Sequence, residues 1–130
     1  MILDASAAVD FVLDREPIAS WVKEELGAAD RVRAPHVIDV EVLAAIRRVA
    51  LSGWISPQRG ARAIEHYSAL RLVRFPHRRL IARAWSLREN LTAADALYVA
   101  LAELLAAPLV TTDGALARTP GLEIEIRTFA

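Results

Sequence analysis

The sequence predicts a three-layer α/β/α fold with a central parallel sheet of about four to five strands. Three observations lead there. Short apolar runs of strand character alternate along the chain with longer segments whose apolar residues recur at helical spacing. Strands separated in this way by helices pair in parallel, because the returning crossover needs a helix's length of chain. The 130 residues, 55% hydrophobic and 25% charged, suit one core and one domain spanning residues 1–130.

The elements follow in order. Ile2-Leu3 is a short apolar run closed by Asp4 and reads as the first strand. Ser6 to Leu13 carries Ala7, Ala8, Phe11 and Val12 at helical spacing. Pro17 suits the first turn of a second helix, expected to run to Leu26 and stop near Gly27. Arg31 to Ala34 is a short strand, and Pro35 is expected to open a long helix through Ala50. Ser56-Pro57 reads as cap and first turn of a helix reaching Ser68. Leu72-Val73 is strand-like and His77 to Leu87 helical. Thr92 to Ala106 is the clearest helix, with Leu97, Leu101, Leu104 and Leu105 at i, i+4, i+7 and i+8 making one apolar stripe. Leu109-Val110-Thr111 is a buried-type strand, followed by a short helix from Asp113. Leu122 to Phe129 alternates as an exposed edge strand would.

Composition excludes several function classes. With no cysteine, disulfide scaffolds, zinc ribbons, thiol nucleophiles and iron–sulfur sites fall away. Basic and acidic residues number 16 each, so the net charge is zero and any nucleic-acid role rests on a local site. No basic stretch precedes an apolar run at the N-terminus, and no apolar run approaches bilayer length. The expected location is therefore cytoplasmic, without membrane contact.

Four acids stand out. Asp4 and Asp113 fall at strand ends, where open parallel sheets place their ligand sites. Glu41 lies in Val37-Ile38-Asp39-Val40-Glu41-Val42-Leu43-Ala44-Ala45-Ile46, with Val37, Ile38, Ala44 and Ala45 expected on its face, among core-type residues. Asp95 is surrounded by alanines. Capping explains some of these singly: Asp4 and Asp113 could each cap the helix that follows, and Thr92 with Asp95 matches a Ser/Thr-x-x-acid start signal. Capping gives no reason for Glu41, and four converging acids are poorly explained as four separate caps.

Clustered carboxylates repel one another and are costly to bury. A divalent cation relieves both problems, and oxygen-only donors without His or Cys select a hard ion, Mg²⁺ or Mn²⁺. Such an ion can acidify a bound water and stabilise a departing phosphodiester oxygen. Ser6, Thr92 and Thr111 accompany the acids and could orient carboxylates or waters, or simply serve turns and caps.

These residues resemble a known family. Asp4-Ala-Ser-Ala at the N-terminus resembles the opening of PIN-domain nucleases. Val40-Glu41-Val42-Leu43, the run from Trp85 to Glu103 containing Thr92-Ala-Ala-Asp95, and Leu109-Val-Thr-Thr-Asp113 are similar to the second, third and fourth acidic motifs of VapC-type toxins. The match spans essentially the whole chain in order, with Ala94 standing where the family often has an aromatic residue.

The resemblance implies a PIN-like fold and an Mg²⁺- or Mn²⁺-dependent endoribonuclease acting on an RNA substrate. It also implies a toxin role in a type II toxin–antitoxin pair, a cognate VapB-type antitoxin, and a homodimer. Asp4, Glu41, Asp95 and Asp113 are then the catalytic and metal-binding acids, with Ser6, Thr92 and Thr111 supporting. Two other readings compete: a catalytically silent PIN-fold binding module, and an aspartate-based phosphatase with Asp4 as nucleophile. The phosphatase pattern wants a second Asp where Ser6 stands.

Fifteen of the basic residues are Arg, and six of them (71, 74, 78, 79, 83 and 88) fall in one acid-free stretch. That stretch is mostly a solvated face, with one or two arginines available to phosphate. Trp21, Trp54 and Trp85 could stack on bases but suit core or dimer packing. The apolar residues Val9 to Leu13 and Ile18 to Val22 are candidates for a dimer or antitoxin groove.

Overall fold

The computed structural model describes residues 1–129. Its sheet has five strands, all parallel: β1 (Ile2–Leu3), β2 (Val32–Pro35), β3 (Leu72–Phe75), β4 (Leu109–Thr111) and β5 (Ile126–Thr128), in spatial order β3-β2-β1-β4-β5. Helices α1 (Ala5–Val12), α2 (Ile18–Ala28), α3 (Val37–Leu51) and α4 (Pro57–Ala69) lie between β1 and β3. After a 3₁₀ turn (Arg78–Leu80) come α5 (Ile81–Ser86), α6 (Ala93–Leu105) and the short α7 (Gly114–Ala117). The arrangement is the expected three-layer α/β/α sandwich.

The strand order determines where a site can form. From β1 the chain steps outward to β2 and β3, then returns to the other side of β1 for β4 and β5. Right-handed crossovers running in opposite directions put their helices on opposite faces. Helices α1 to α4 pack on one another, whereas α5 and α6 pack together with α6 against β1, β2 and β4. The direction reverses between β1 and β4, and a crevice opens beyond their carboxyl ends. Asp4 follows β1 and Asp113 stands just beyond β4.

Several elements differ from expectation. Pro35 does not open α3. It ends β2 in register with Phe75, and the helix starts at Val37. The trans-helix cap there is unusual: the Val37 N–H donates to His77 Nε2 at 3.0 Å, tying α3 to the loop after β3. Helix α2 ends at Ala28, one residue past Gly27 and close to the expected stop. The last strand is three residues long, because Leu122 and Ile124 pack onto the core before the chain joins the sheet edge.

In α6 the expected leucine stripe is incomplete. Leu101 is fully buried, but Leu104 is 43% exposed, and Tyr98, Val99, Ala100 and Ala102 are buried instead. A helix wedged between a sheet and α5 buries most of its circumference, so small residues serve as well as leucines. The N-terminal apolar segments divide between packing and surface, with Phe11, Leu13, Ile18 and Trp21 staying partly exposed. Val9, Val12 and Val22 are buried where α1 packs on α2, and Trp21 leans on Phe129 with ring centroids 6.0 Å apart. The Arg-rich stretch is partly consumed by ties: Arg74 pairs with Asp39 at 2.9 Å, Arg83 pairs with Glu103 at 2.7 Å, and Arg88 lies over the Trp85 ring at 4.5 Å. Among the described residues no helix is long and apolar enough to cross a membrane.

The His77 cap predicts a pH effect. Its pKa is lowered, first by burial and then by His36 nearby. A base with a depressed folded-state pKa binds fewer protons folded than unfolded, so its contribution is complete above the unfolded value of about 6.5 and is lost as pH falls below it. Protonation also removes the acceptor for Val37, worth about 1 kcal/mol. His77→Gln, which can accept that bond at any pH, is expected to flatten the stability–pH curve below about pH 6.5 relative to wild type. Parallel urea-denaturation curves for the two proteins would contradict this role.

Candidate active site

Asp4 sits in the N-cap position of α1 but makes no side-chain cap hydrogen bond. Its carboxylate turns into the crevice instead and is 4% exposed. There Oδ2 accepts from Ser6 Oγ and from Thr111 Oγ1, each at 2.6 Å. Both hydroxyls do further work: Ser6 Oγ accepts from the Thr112 N–H at 3.1 Å, and Thr111 Oγ1 from the Asp113 N–H at 3.0 Å. The start of α1 and the end of β4 are thereby locked together around one carboxylate. Thr112 adds a tie that the sequence reading missed, donating to Asp10 Oδ2 at 2.7 Å.

Glu41 comes from the other side. In α3 the fully buried positions are Ile38, Val42 and Ile46, one side chain per turn, and Glu41 and Ala45 flank that row. Ala44, expected beside Glu41 in the core, is exposed. Glu41 is half-buried, yet its Oε1 is wholly buried and has no hydrogen-bond partner. Facing it is the buried hydroxyl of Tyr98 of α6, and neither group has another hydrogen-bond partner among the described residues, so each is the other's nearest candidate. Tyr98 stands one turn after Asp95, and the only sequence signal for it is a phenol inside an alanine-rich buried helix.

Asp95 and Asp113 partly fulfil the capping alternatives. Thr92 caps α6 by accepting the Asp95 N–H at 3.3 Å. Asp113 caps α7, its Oδ1 accepting from the N–H groups of Ala115 and Leu116 at 2.9 and 3.4 Å. Capping does not exhaust either residue, because both take part in a shared electrostatic environment. Burial pushes Asp4 above the usual carboxylate range, the hydroxyls of Ser6 and Thr111 oppose this, and Asp113 adds repulsion. Burial likewise raises Glu41, with Asp4 and Asp95 adding to the rise and Tyr98 tempering it. Asp95 is raised by burial and then by Asp4 and Asp113. Each of the four acids thus lies within electrostatic reach of at least one other at the crevice.

This donor set fits a hard divalent ion. It is all oxygen, and the buried Glu41 Oε1 has the Tyr98 hydroxyl as its one neighbouring donor among the described residues, which leaves most of a buried carboxylate's charge uncompensated. As the side chains stand, no group of three His, Cys, Asp or Glu among the described residues is drawn tightly enough to hold an ion. Repulsion between carboxylates favours such spacing, and Asp113 is held back by its own cap.

The PIN domain family matches residues 1–122. The chain belongs to the PIN-domain family. Within it the resemblance to VapC-type proteins extends to the sequence level. The chain is 41% identical to Ribonuclease VapC1 of Mycobacterium tuberculosis over 97% of this chain and 95% of that protein. It is 39% identical to Ribonuclease VapC12 of the same organism over 100% of this chain and 99% of that protein. Among solved structures, VapBC2 from Rickettsia felis, bound to a DNA fragment from its promoter, superposes with a TM-score of 0.68 at 15% identity. That match covers 99% of this chain and 98% of that one. The PIN fold is therefore shared well beyond the reach of sequence identity.

Proposed function

We propose that this PIN-domain chain is a metal-dependent endoribonuclease that acts as the toxin of a type II toxin–antitoxin pair. The observation that carries the chemistry is the convergence of Asp4, Glu41, Asp95 and Asp113, three of them pushed toward protonation and one with a buried oxygen that only the Tyr98 hydroxyl faces. An Mg²⁺ or Mn²⁺ ion held by these acids would supply the charge neutralisation, water activation and leaving-group stabilisation that phosphodiester hydrolysis needs. The names of the VapC relatives support RNA as the substrate, and the toxin–antitoxin origin of structural neighbours supports a protein antitoxin.

Each residue then has a task. Asp4 is the fixed point, held in one orientation by Ser6 and Thr111. Glu41 and Asp95 close the site from opposite layers, and Asp113 closes it from beyond β4. Ser6, Thr92 and Thr111 keep the acids in place rather than react. Tyr98 and the buried β1 and β4 strands exclude water from beneath. The homodimer belongs to the same proposal.

The test is cleavage of structured RNA by the purified chain. Cleavage is expected with Mg²⁺ or Mn²⁺, to stop on chelation, and to fall by about a hundredfold or more in Asp95→Asn. Activity that survives chelation would remove the metal-dependent reading. A trapped aspartyl intermediate on Asp4 would favour the phosphatase alternative.

A further inference from the structure

Beside the acids lies a groove of about 400 Å³ whose lining includes Ser6, Glu41 and Thr112 together with Arg15 and Arg48. The same two arginines line a second hollow of about 510 Å³, together with Leu13, Ile55 and Trp54. The two hollows adjoin at Arg15 and Arg48 and make up a trough that has Glu41 in one part of its lining and Trp54 in the other. We propose that the RNA strand leaves the candidate active site along this trough, with backbone phosphates on Arg15 and Arg48 and an unstacked base on Trp54. This inference rests on the ribonuclease reading and adds to it the path and the form of the substrate.

The side chains along the trough suit that cargo. Arg48 is exposed and makes no ion pair among the described residues. Arg15 is held at 3.0 Å by Asp10, which is held in turn by Thr112. One guanidinium nitrogen of Arg15 is used there, and the rest of its fork remains for a phosphate oxygen. The sequence places Arg48 seven residues after Glu41, two helical turns along the same face of α3. A strand bound at the acids therefore meets Arg48 by following the helix.

Trp54 is 83% exposed, the most open large apolar side chain in the protein's described residues. It is not on a loose loop. The Gly53 N–H donates to Ala50 O at 3.2 Å and the Trp54 N–H to Val49 O at 3.1 Å, with Gly53 at φ +80. That bond pair ends α3 in a Schellman motif, so the turn presents the indole in a defined position. A solvated aromatic carried on a well-defined backbone turn beside two cations suits single-stranded nucleic acid, because only an unpaired base offers its face for stacking. A duplex keeps its bases stacked on one another.

The test uses a single-stranded RNA of about twelve nucleotides, long enough to span such a trough. Binding is measured in chelator at several salt concentrations, so that cleavage does not intervene. Arg48→Glu and Trp54→Ala alter exposed side chains, and unchanged melting confirms their folding. Trp54→Ala is expected to weaken binding about tenfold. Arg48→Glu is expected to weaken binding and to lower the log K against log salt slope by at least about 0.7. Trp85→Ala, exposed on another face, leaves both quantities unchanged, and a duplex of equal length binds more weakly than the single strand.

Wild-type affinity and salt slope in both Arg48→Glu and Trp54→Ala overturn the path and leave the trough to a protein partner. Absence of any wild-type binding overturns it as well. Cleavage with Mn²⁺ is scored separately. A wild type that binds through Trp54 and Arg48 but cuts nothing sinks the ribonuclease reading and keeps the path. A wild type that cuts, with KM unmoved in both variants, sinks the path alone.

Discussion

Asp4→Asn is expected to lower RNA cleavage by about a hundredfold or more while leaving the chain folded and at least as stable as the wild type. The two halves of this result have one cause. Asp4 is buried, and its charged form is opposed first by burial and then by Asp113. Asparagine has nearly the same shape and keeps an oxygen that can accept from Ser6 and Thr111. It removes the buried charge, the feature that costs stability and the feature an ion would need. A residue serving only as a structural cap would behave differently, because Asp4 makes no side-chain cap bond whose loss could be felt. Thermal melting and a cleavage assay on the same preparation separate the two effects. A fully active Asp4→Asn enzyme would remove the carboxylate cluster from the chemistry.

Adding Mn²⁺ or Mg²⁺ is expected to raise the melting temperature by several degrees at pH 7.5 and by much less at pH 5. The sign follows from the acids. Asp4, Glu41 and Asp95 have folded-state pKa values raised above the unfolded values of about 4, by burial first and by one another second. Their contribution to stability is fully present below those unfolded values. It is lost as pH rises through the folded ones, so the ion-free chain pays a penalty near neutrality. A bound cation offsets that penalty where the acids are ionised and competes with protons where they are not. At a hundred times its dissociation constant an ion stabilises by about 2.7 kcal/mol. Asp4→Asn should blunt both the pH dependence and the ion's effect. His77 contributes with the opposite sign as pH falls below about 6.5, which is why its Gln variant belongs in the same series. Melting curves that ignore the ion at both pH values would mean that the four acids do not form a cation site.

The deciding features of this protein divide cleanly by distance along the chain. Strand and helix alternation, the Ser56 and Thr92 caps, and the placement of Asp4 and Asp113 at strand ends are local, and the sequence alone determined them. Periodicity and capping act within a few residues, so they are legible without knowing the partners. The anomaly of Glu41 was legible too, because an acid beside Ile38 and Val42 has no local purpose.

Only the tertiary structure decided what each face meets. Leu104 looks like a core residue and is exposed, while Ala100 and Ala102 look neutral and are buried, because α6 lies between the sheet and α5. The apolar start of the chain looks uniform in sequence, and the fold buries Val9, Val12 and Val22 between α1 and α2 while leaving Phe11, Leu13, Ile18 and Trp21 partly exposed. Tyr98 opposite Glu41, Thr112 on Asp10, and the trough joining Arg15, Arg48 and Trp54 all bring together residues from different elements. Burial and electrostatic coupling depend on neighbours that the strand order β3-β2-β1-β4-β5 supplies. That order is set by how helices cover both faces of the sheet, a condition satisfied by the whole chain at once and written in no single segment.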